Sequence, residues 1–273
     1  VFGTYAYSGT EQAVAFTVNG AGPTVEDVDY TATGGKALNA GGYTLTVTGI
    51  GNYAGTQTVG WSISKTPLIV TAVDKTVTYG DAKPRLTLSY SGFVNGETKA
   101  VLGGTPLVDT AYVKGSPVGT YDITVSGYTS VNYEIGYVKG TLTAVPAQLT
   151  VSVSGTYIYQ GVEQRVVYTV TGVDGAVLIP GTDYTLTGDR ATHAGTYALS
   201  AVGKGNYAGT QTVDWTISKT PLTVMADDKV IVYNAGVPAL TASYFGFVNH
   251  ETVAVLGGEL AMGTDYVKGD DPG

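Results

Sequence analysis

From Gly51 to Ala72 the chain reads GNYAGTQTVGWSISKTPLIVTA, and from Gly205 to Ala226 it reads GNYAGTQTVDWTISKTPLTVMA. Eighteen of these 22 positions are identical at an offset of 154 residues. The stretch holds the signals that decide the fold. Asn52-Tyr53-Ala54-Gly55 is turn chemistry, the run to Ser64 alternates, and Pro67 punctuates the entry to another apolar run. Along the second copy, Val213, Trp215 and Ile217 oppose Thr212, Asp214, Thr216 and Ser218. A period of two with one apolar and one polar face marks an antiparallel sheet with one side on a core.

Working outward, Leu86–Gly104 and Leu240–Gly258 match at 15 of 19 positions with the same offset. Upstream, Gly3-Thr4-Tyr5 matches Gly155-Thr156-Tyr157 at offset 152, and the two-residue difference falls in the loop before Asp29-Tyr30 and Asp183-Tyr184. This is tandem duplication. The unit is itself double, because Gly41-Gly42-Tyr43, Gly119-Thr120-Tyr121 and Gly195-Thr196-Tyr197 each open an alternating run. Each run is followed by an Asn-Tyr pair, at Asn52-Tyr53, Asn132-Tyr133 and Asn206-Tyr207, so the elementary module is about 77 residues. Four modules follow in order: A1 (1–65), B1 (66–146), A2 (147–219) and B2 (220–273). A2 begins with the strand-like Leu149–Val153, of which A1 carries only the end, and B2 carries nothing equivalent to Gly119–Ala144. The expectation is a segment of a longer array, with B2 incompletely folded or supported only by its neighbour.

The fold class expected is all-β, a tandem array of small immunoglobulin-like β-sandwiches. The Gly-x-Tyr step before a strand resembles the tyrosine corner of such sandwiches. Asn95–Leu102 and its copy Asn249–Leu256 carry the best helix signal, with Asn as the expected cap. A helix there would make the B modules β-grasp-like instead. The joints Ile63–Leu68, Ile217–Leu222 and Thr143–Leu149 are short and proline-tipped, with no Gly/Ser tract, and predict a semi-stiff succession of modules.

Composition narrows the function classes. Gly (39), Thr (41), Val (37) and Tyr (21) supply half of the 273 residues, while charged residues are 13 % against an ordinary level of about 25 %. The net charge of −8 offers no cationic field for nucleic acid or anionic lipid. There is no run of ~20 apolar residues to span a bilayer, and no Cys for disulfides, thiolate metal sites or Cys nucleophiles.

The B pattern Leu68-Ile-Val-Thr-Ala-Val-Asp-Lys75, Tyr79-Gly80-Asp81, Pro84, Gly92-Phe-Val-Asn-Gly-Glu97, Gly119-Thr-Tyr121 and Asn132-Tyr133 resembles the MBG domains of bacterial surface proteins. The A modules look like the related YDG and immunoglobulin-like repeats that accompany them in large, filamentous-haemagglutinin-like adhesins. B2 departs at Asn234-Ala235, where B1 has Gly80-Asp81. The resemblance implies an extracellular, bacterial cell-surface location, a mechanical or spacer role, and no catalytic residues. Expected partners are neighbouring modules in a longer chain, with host or biofilm surface ligands and lateral self-association as further possibilities.

The residues themselves yield no catalytic, cofactor-binding or metal-ligating assignment and no cofactor. His193 and His250 are replaced by Asn39 and Gly96 in the other copy, so a loop role is preferred to catalysis, and no G-x-S-x-G elbow occurs. Glu26-Asp27-Val28-Asp29 has no acidic equivalent along Leu178–Asp183 except Asp183, which disfavours a repeated Ca²⁺ site; Asp227-Asp228 and Asp270-Asp271 read as turn charge. Lys75 and Lys229 raise an isopeptide crosslink to Asn, but Lys75 follows Asp74 in what reads as an exposed turn. Trp61 and Trp215 fall on apolar strand faces and read as core. Tyr53, Tyr133 and Tyr207 sit at hairpins, where they can brace a joint or present a ring to a ligand.

Overall fold

The computed structural model describes residues 1–271; Pro272 and Gly273, the last two residues of B2, lie outside them. The chain divides into two compact units, Val1–Val145 and Pro146–Gly273. The first covers the sequence ranges of A1 and of B1 up to Val145, the second Pro146 and the ranges of A2 and B2.

In A1, the strand Gly41–Gly49 pairs antiparallel with Thr56–Ser64, from Gly41↔Ile63 to Thr48↔Thr56. Tyr30–Thr33 flanks it on one side, and Tyr5–Ala6 lies parallel to the far end of Thr56–Ser64 on the other. A2 repeats this sheet with Tyr157–Ile158, Thr210–Ser218, Gly195–Gly203 and Tyr184–Thr187. A2 adds Thr150–Ser154 paired antiparallel with Val167–Thr171, and Ala147–Gln148 paired parallel with Tyr207–Ala208.

B1 is built from two sheets. One has the order Gly103–Thr110, Gly119–Thr129, Gly140–Val145 and Lys75–Thr78; the other has Tyr133–Val138, Thr66–Ala72 and Leu88–Ser91. An early strand parallel to the last one recurs in three of the four modules, A1, B1 and A2, as Tyr5–Ala6, Lys75–Thr78 and Tyr157–Ile158. Tyrosine corners recur with it. Tyr43, Tyr121 and Tyr197 each donate a hydroxyl hydrogen bond to the carbonyl four residues upstream, at 2.7, 2.6 and 2.7 Å. These shared features make A1, B1 and A2 immunoglobulin-like.

The β-grasp alternative for B does not hold. The segment after Asn95 forms only a single 3₁₀ turn, Lys99–Val101, and its copy is Val253–Val255. The expected Asn cap is also corrected. Thr98 and Thr252 cap these turns, accepting from the amides of Ala100 and Ala254, while Asn95 and Asn249 take left-handed conformations at φ 50° and 48°. The hairpin reading of the Asn-Tyr pairs holds in A1 and A2. In B1 the strand after Asn132 instead crosses to the second sheet and runs parallel to Thr66–Ala72.

Both tryptophans are core. Trp61 and Trp215 are 6 % and 4 % exposed and donate Nε1–H to the carbonyls of Gly34 and Gly188, at 3.0 and 2.9 Å. In unit 1 the buried apolar residues of A1 (Tyr7, Val14, Leu45, Trp61, Ile63) and of B1 (Leu68, Val70, Ile123, Tyr133, Leu142) form one continuous cluster. In unit 2 the buried residues belong to A2, and none of residues 220–271 is buried. There, Thr223–Ala226 pairs only with Ala242–Phe245 among the described residues. Val224 is 45 % exposed, whereas its B1 equivalent Val70 is 0 % exposed.

Candidate functional site at the joint between A and B

The side chains that sequence reasoning could not place converge where A meets B inside each unit. Glu97, from the turn before Lys99–Val101, receives two phenol hydroxyls. Tyr7 of A1 donates to Oε1 at 2.5 Å, and Tyr133, opening the strand Tyr133–Val138, donates to Oε2. The two rings meet edge to face with centroids 5.5 Å apart. Hydrogen bonds to an ionised acceptor are among the strongest available to side chains. The bond to Glu97 and then burial push the Tyr7 hydroxyl up to about 12. Tyr133 is also raised, by burial first and the Glu97 bond second. Both phenols therefore stay protonated and able to donate.

Further bonds surround this centre. Asn95 Nδ2 donates to the Gly9 carbonyl at 2.9 Å, and Thr66 Oγ1 to the Tyr7 carbonyl at 2.6 Å. Asn132 accepts from the Ala40 amide at 2.9 Å and donates to Asn39 Oδ1 at 3.1 Å. Gly9 is required by close approach, since a Cβ there would lie 2.6 Å from the Asn95 Cβ on a backbone at φ +75°.

Unit 2 repeats part of this joint with the same residue types. Tyr159 donates to Glu251 Oε1, Asn249 Nδ2 to the Gly161 carbonyl at 2.8 Å, and Thr220 Oγ1 to the Tyr159 carbonyl. A Cβ on Gly161 would approach the Asn249 Cβ to 2.7 Å. The Glu251 bond is the leading cause that raises Tyr159. In unit 1 Tyr133 packs edge to face on Phe93 at 5.4 Å. In unit 2 a cavity of about 280 Å³ stands in this region, lined by Tyr159, His193, Phe247, Val248 and Glu251.

The residues singled out in the sequence are accounted for separately. His193 is exposed and stacks on Tyr159 with centroids 6.5 Å apart, while exposed His250 holds a turn at φ 59°. The Asp29 carboxylate accepts from the Val25 amide at 2.9 Å, and Asp183 accepts from Ile179 at 2.9 Å, so this acidic position shapes a turn in both copies. Asp227 accepts from Ser243 and Thr241 at 2.6 and 2.5 Å, and these bonds hold its carboxyl below the usual range. Asp270 accepts from the Val267 amide at 2.8 Å. Lys75 is not in a turn. It is half-buried at the start of Lys75–Thr78, opposite Leu142. Lys229 Nζ donates to Thr241 Oγ1 at 2.5 Å. Tyr133 and Tyr207, 2 % and 6 % exposed, brace the protein interior. Among the described residues, no three His, Asp or Glu side chains converge as a metal site would require.

Two segments of the chain match the family model of the MBG domain (YGX type), at residues 68–143 and 222–273. The B modules are MBG-type repeats. Their matched ranges fall inside B1 and B2, and the Glu97 and Glu251 turns belong to these MBG segments. No match was found among curated proteins. A solved structure of Sidekick-1 immunoglobulin domains 1-5 is similar at 13% identity, covering 76% of this chain and 52% of that one, with a TM-score of 0.20. The immunoglobulin-like assignment rests on strand pairing and the tyrosine corners, not on that likeness.

Proposed function

We propose that this chain is a structural repeat segment of a bacterial extracellular surface adhesin, a spacer that projects a distal binding region from the cell. One observation carries the reading. A group of polar contacts is built twice from the same residue types, Tyr7/Glu97/Asn95/Gly9 and Tyr159/Glu251/Asn249/Gly161, and its bonds tie module to module. MBG and immunoglobulin-like domains are typically non-catalytic, and MBG domains occur in surface-associated repeat proteins, which supports a mechanical role outside the cell. Neighbouring repeats in a longer chain are its proposed partners, with lateral association between chains as a second mode. Small-angle scattering tests the spacer role. A single compact body of 273 residues would have a radius of gyration of about 19 Å. The proposal expects a value well above that and no saturable binding on a glycan array. A value near 19 Å, or specific glycan binding by this segment, would overturn it.

A further inference from the structure

We propose that Asn95 is a deamidation site governed by the A–B joint of unit 1: its side-chain amide hydrolyses when the joint opens, and the product weakens the joint for good. Asn95 and Gly96 are the central residues of a tight turn, with φ of 50° and 70°, closed by the Glu97 amide donating to the Val94 carbonyl at 2.9 Å. Positive φ at both central positions belongs to the type I′ turn, for which Asn-Gly is a favoured pair.

The reaction needs a free nucleophile, water and a mobile side chain, and the turn supplies the first two. The nucleophile is the Gly96 backbone nitrogen, which has no hydrogen-bond partner among the described residues. Gly96 is exposed, and nothing stands within 4 Å of where a Cβ would project. Lacking that Cβ, glycine leaves its nitrogen uncrowded. Asn95 is exposed as well, so water reaches the pair. Mobility is what the joint withholds. Asn95 Nδ2 donates to the Gly9 carbonyl of A1 at 2.9 Å, and Cγ can turn onto the Gly96 nitrogen only after that bond breaks.

The chemistry is a hydrolysis and needs no cofactor. The Gly96 nitrogen bonds to Asn95 Cγ and gives up its proton, the Cγ–Nδ2 bond breaks, and ammonia leaves a five-membered succinimide. Water then adds to one of the two ring carbonyls and opens the ring. The product is aspartate, or its isoaspartyl isomer in which the main chain runs through Cβ and Cγ. Nothing is oxidised or reduced.

Either product harms the joint. The donor to Gly9 is gone, and a second negative charge stands two residues from Glu97, the carboxylate that takes the hydroxyls of Tyr7 and Tyr133. The isoaspartyl form also adds a backbone carbon inside the turn that positions Glu97. In the other copy, Asn249-His250 keeps the turn, at φ 48° and 59°, and keeps the bond to Gly161 at 2.8 Å. There a histidine Cβ crowds the attacking nitrogen, so the reactive pair occupies only one of two equivalent turns. This inference does not depend on the spacer role.

The test incubates the whole chain for weeks at physiological temperature and pH and follows Asn95 by peptide mapping and mass spectrometry, each event adding one mass unit. Asn95 is expected to convert in the native chain, at least about tenfold more slowly than in the same chain unfolded in urea, because reaction through an open state scales with the population of that state. Tyr7→Phe, which weakens the joint from its far side, should speed the native reaction by about tenfold or more and leave the rate in urea unchanged. Gly96→His should slow conversion several-fold in urea, where folding plays no part. Asn95→Asp makes one product directly and should lower the melting temperature of unit 1 by about 3 °C or more, read by Trp61 in a Trp215→Phe background. No conversion of Asn95 in the native chain, a native rate equal to that in urea, a native rate unmoved by Tyr7→Phe, a rate in urea unmoved by Gly96→His, or an unchanged melting temperature for Asn95→Asp would overturn the proposal.

Discussion

Tyr7→Phe is the most informative single change at the A–B joint. It deletes one oxygen from a side chain that is 6 % exposed and leaves the ring packed edge to face on Tyr133. What is lost is the 2.5 Å bond to Glu97, which keeps only the hydroxyl of Tyr133. A hydrogen bond to a charged partner contributes about 1.5–3 kcal/mol net, so a cost of about 2 kcal/mol is expected. For a unit of this size that lowers the melting temperature by about 6 °C. Glu97→Ala removes the acceptor of both phenols; Tyr133 still accepts from the Val94 amide at 3.1 Å, and the loss of two donated bonds costs about 2–6 kcal/mol together. Because the residues share one network, the double variant should cost less than the sum of the singles, with a coupling energy of about 1 kcal/mol or more. Urea unfolding followed by tryptophan fluorescence in a Trp215→Phe background isolates unit 1, where Trp61 is then the only indole. A cost below about 0.5 kcal/mol for Tyr7→Phe with no coupling to Glu97 would refute the reasoning, since values that small are ordinary for exposed positions.

High pH should weaken both units. Tyr7, Tyr90 and Tyr184 are pushed up to about 12: Tyr7 by its bond to Glu97, Tyr90 by burial and its bond to Tyr128, and Tyr184 by burial. The unfolded chain sheds these protons near pH 10 and the folded chain retains them, so stability is full below about pH 10 and falls as pH rises to about 12. Urea midpoints across that window check the sign, and Tyr7→Phe should flatten the slope for unit 1. Gly34→Ala should destabilise unit 1 by roughly 2 kcal/mol or more, because the new Cβ would sit 2.1 Å from the Thr44 carbonyl oxygen at φ +73°. Gly188→Ala should do the same to unit 2 alone, with its Cβ 2.0 Å from the Ala198 oxygen, and separate thermal transitions read by Trp61 and Trp215 distinguish the two. Tyr43→Phe removes a tyrosine corner and should cost about 1 kcal/mol by chemical denaturation.

The parts of the fold that depend on local periodicity were legible. Alternation placed Trp61, Trp215 and Ile217 on the core side, and the Gly-x-Tyr step located the tyrosine corners, because both signals lie within a few residues of each other. The misread segments are those decided by distant partners. Asn95 looks like a helix cap, but its side chain reaches Gly9, 86 residues away. Lys75 looks like a turn residue until Leu142 pairs with it from the other end of the module. The joint was hidden for the same reason, since Tyr7 and Glu97 are 90 residues apart. One signal could have found it. Tyr7-Ser8-Gly9 and Tyr159-Gln160-Gly161 keep Tyr and Gly in both copies, and Glu97 persists as Glu251 although Gly96 before it becomes His250. A charged residue retained inside a low-charge repeat marks a specific partner.

Pulling single molecules of the whole chain tests the central claim, that A and B open as one mechanical element through a shared joint. Unit 1 has 145 residues, and full extension at up to about 3.6 Å per residue releases roughly 500 Å of contour. The account predicts that unit 1 opens in one step approaching that length, and that Glu97→Ala splits the step in two. Two steps of about half that length in the unmodified protein would show that A1 and B1 yield separately, and would contradict it.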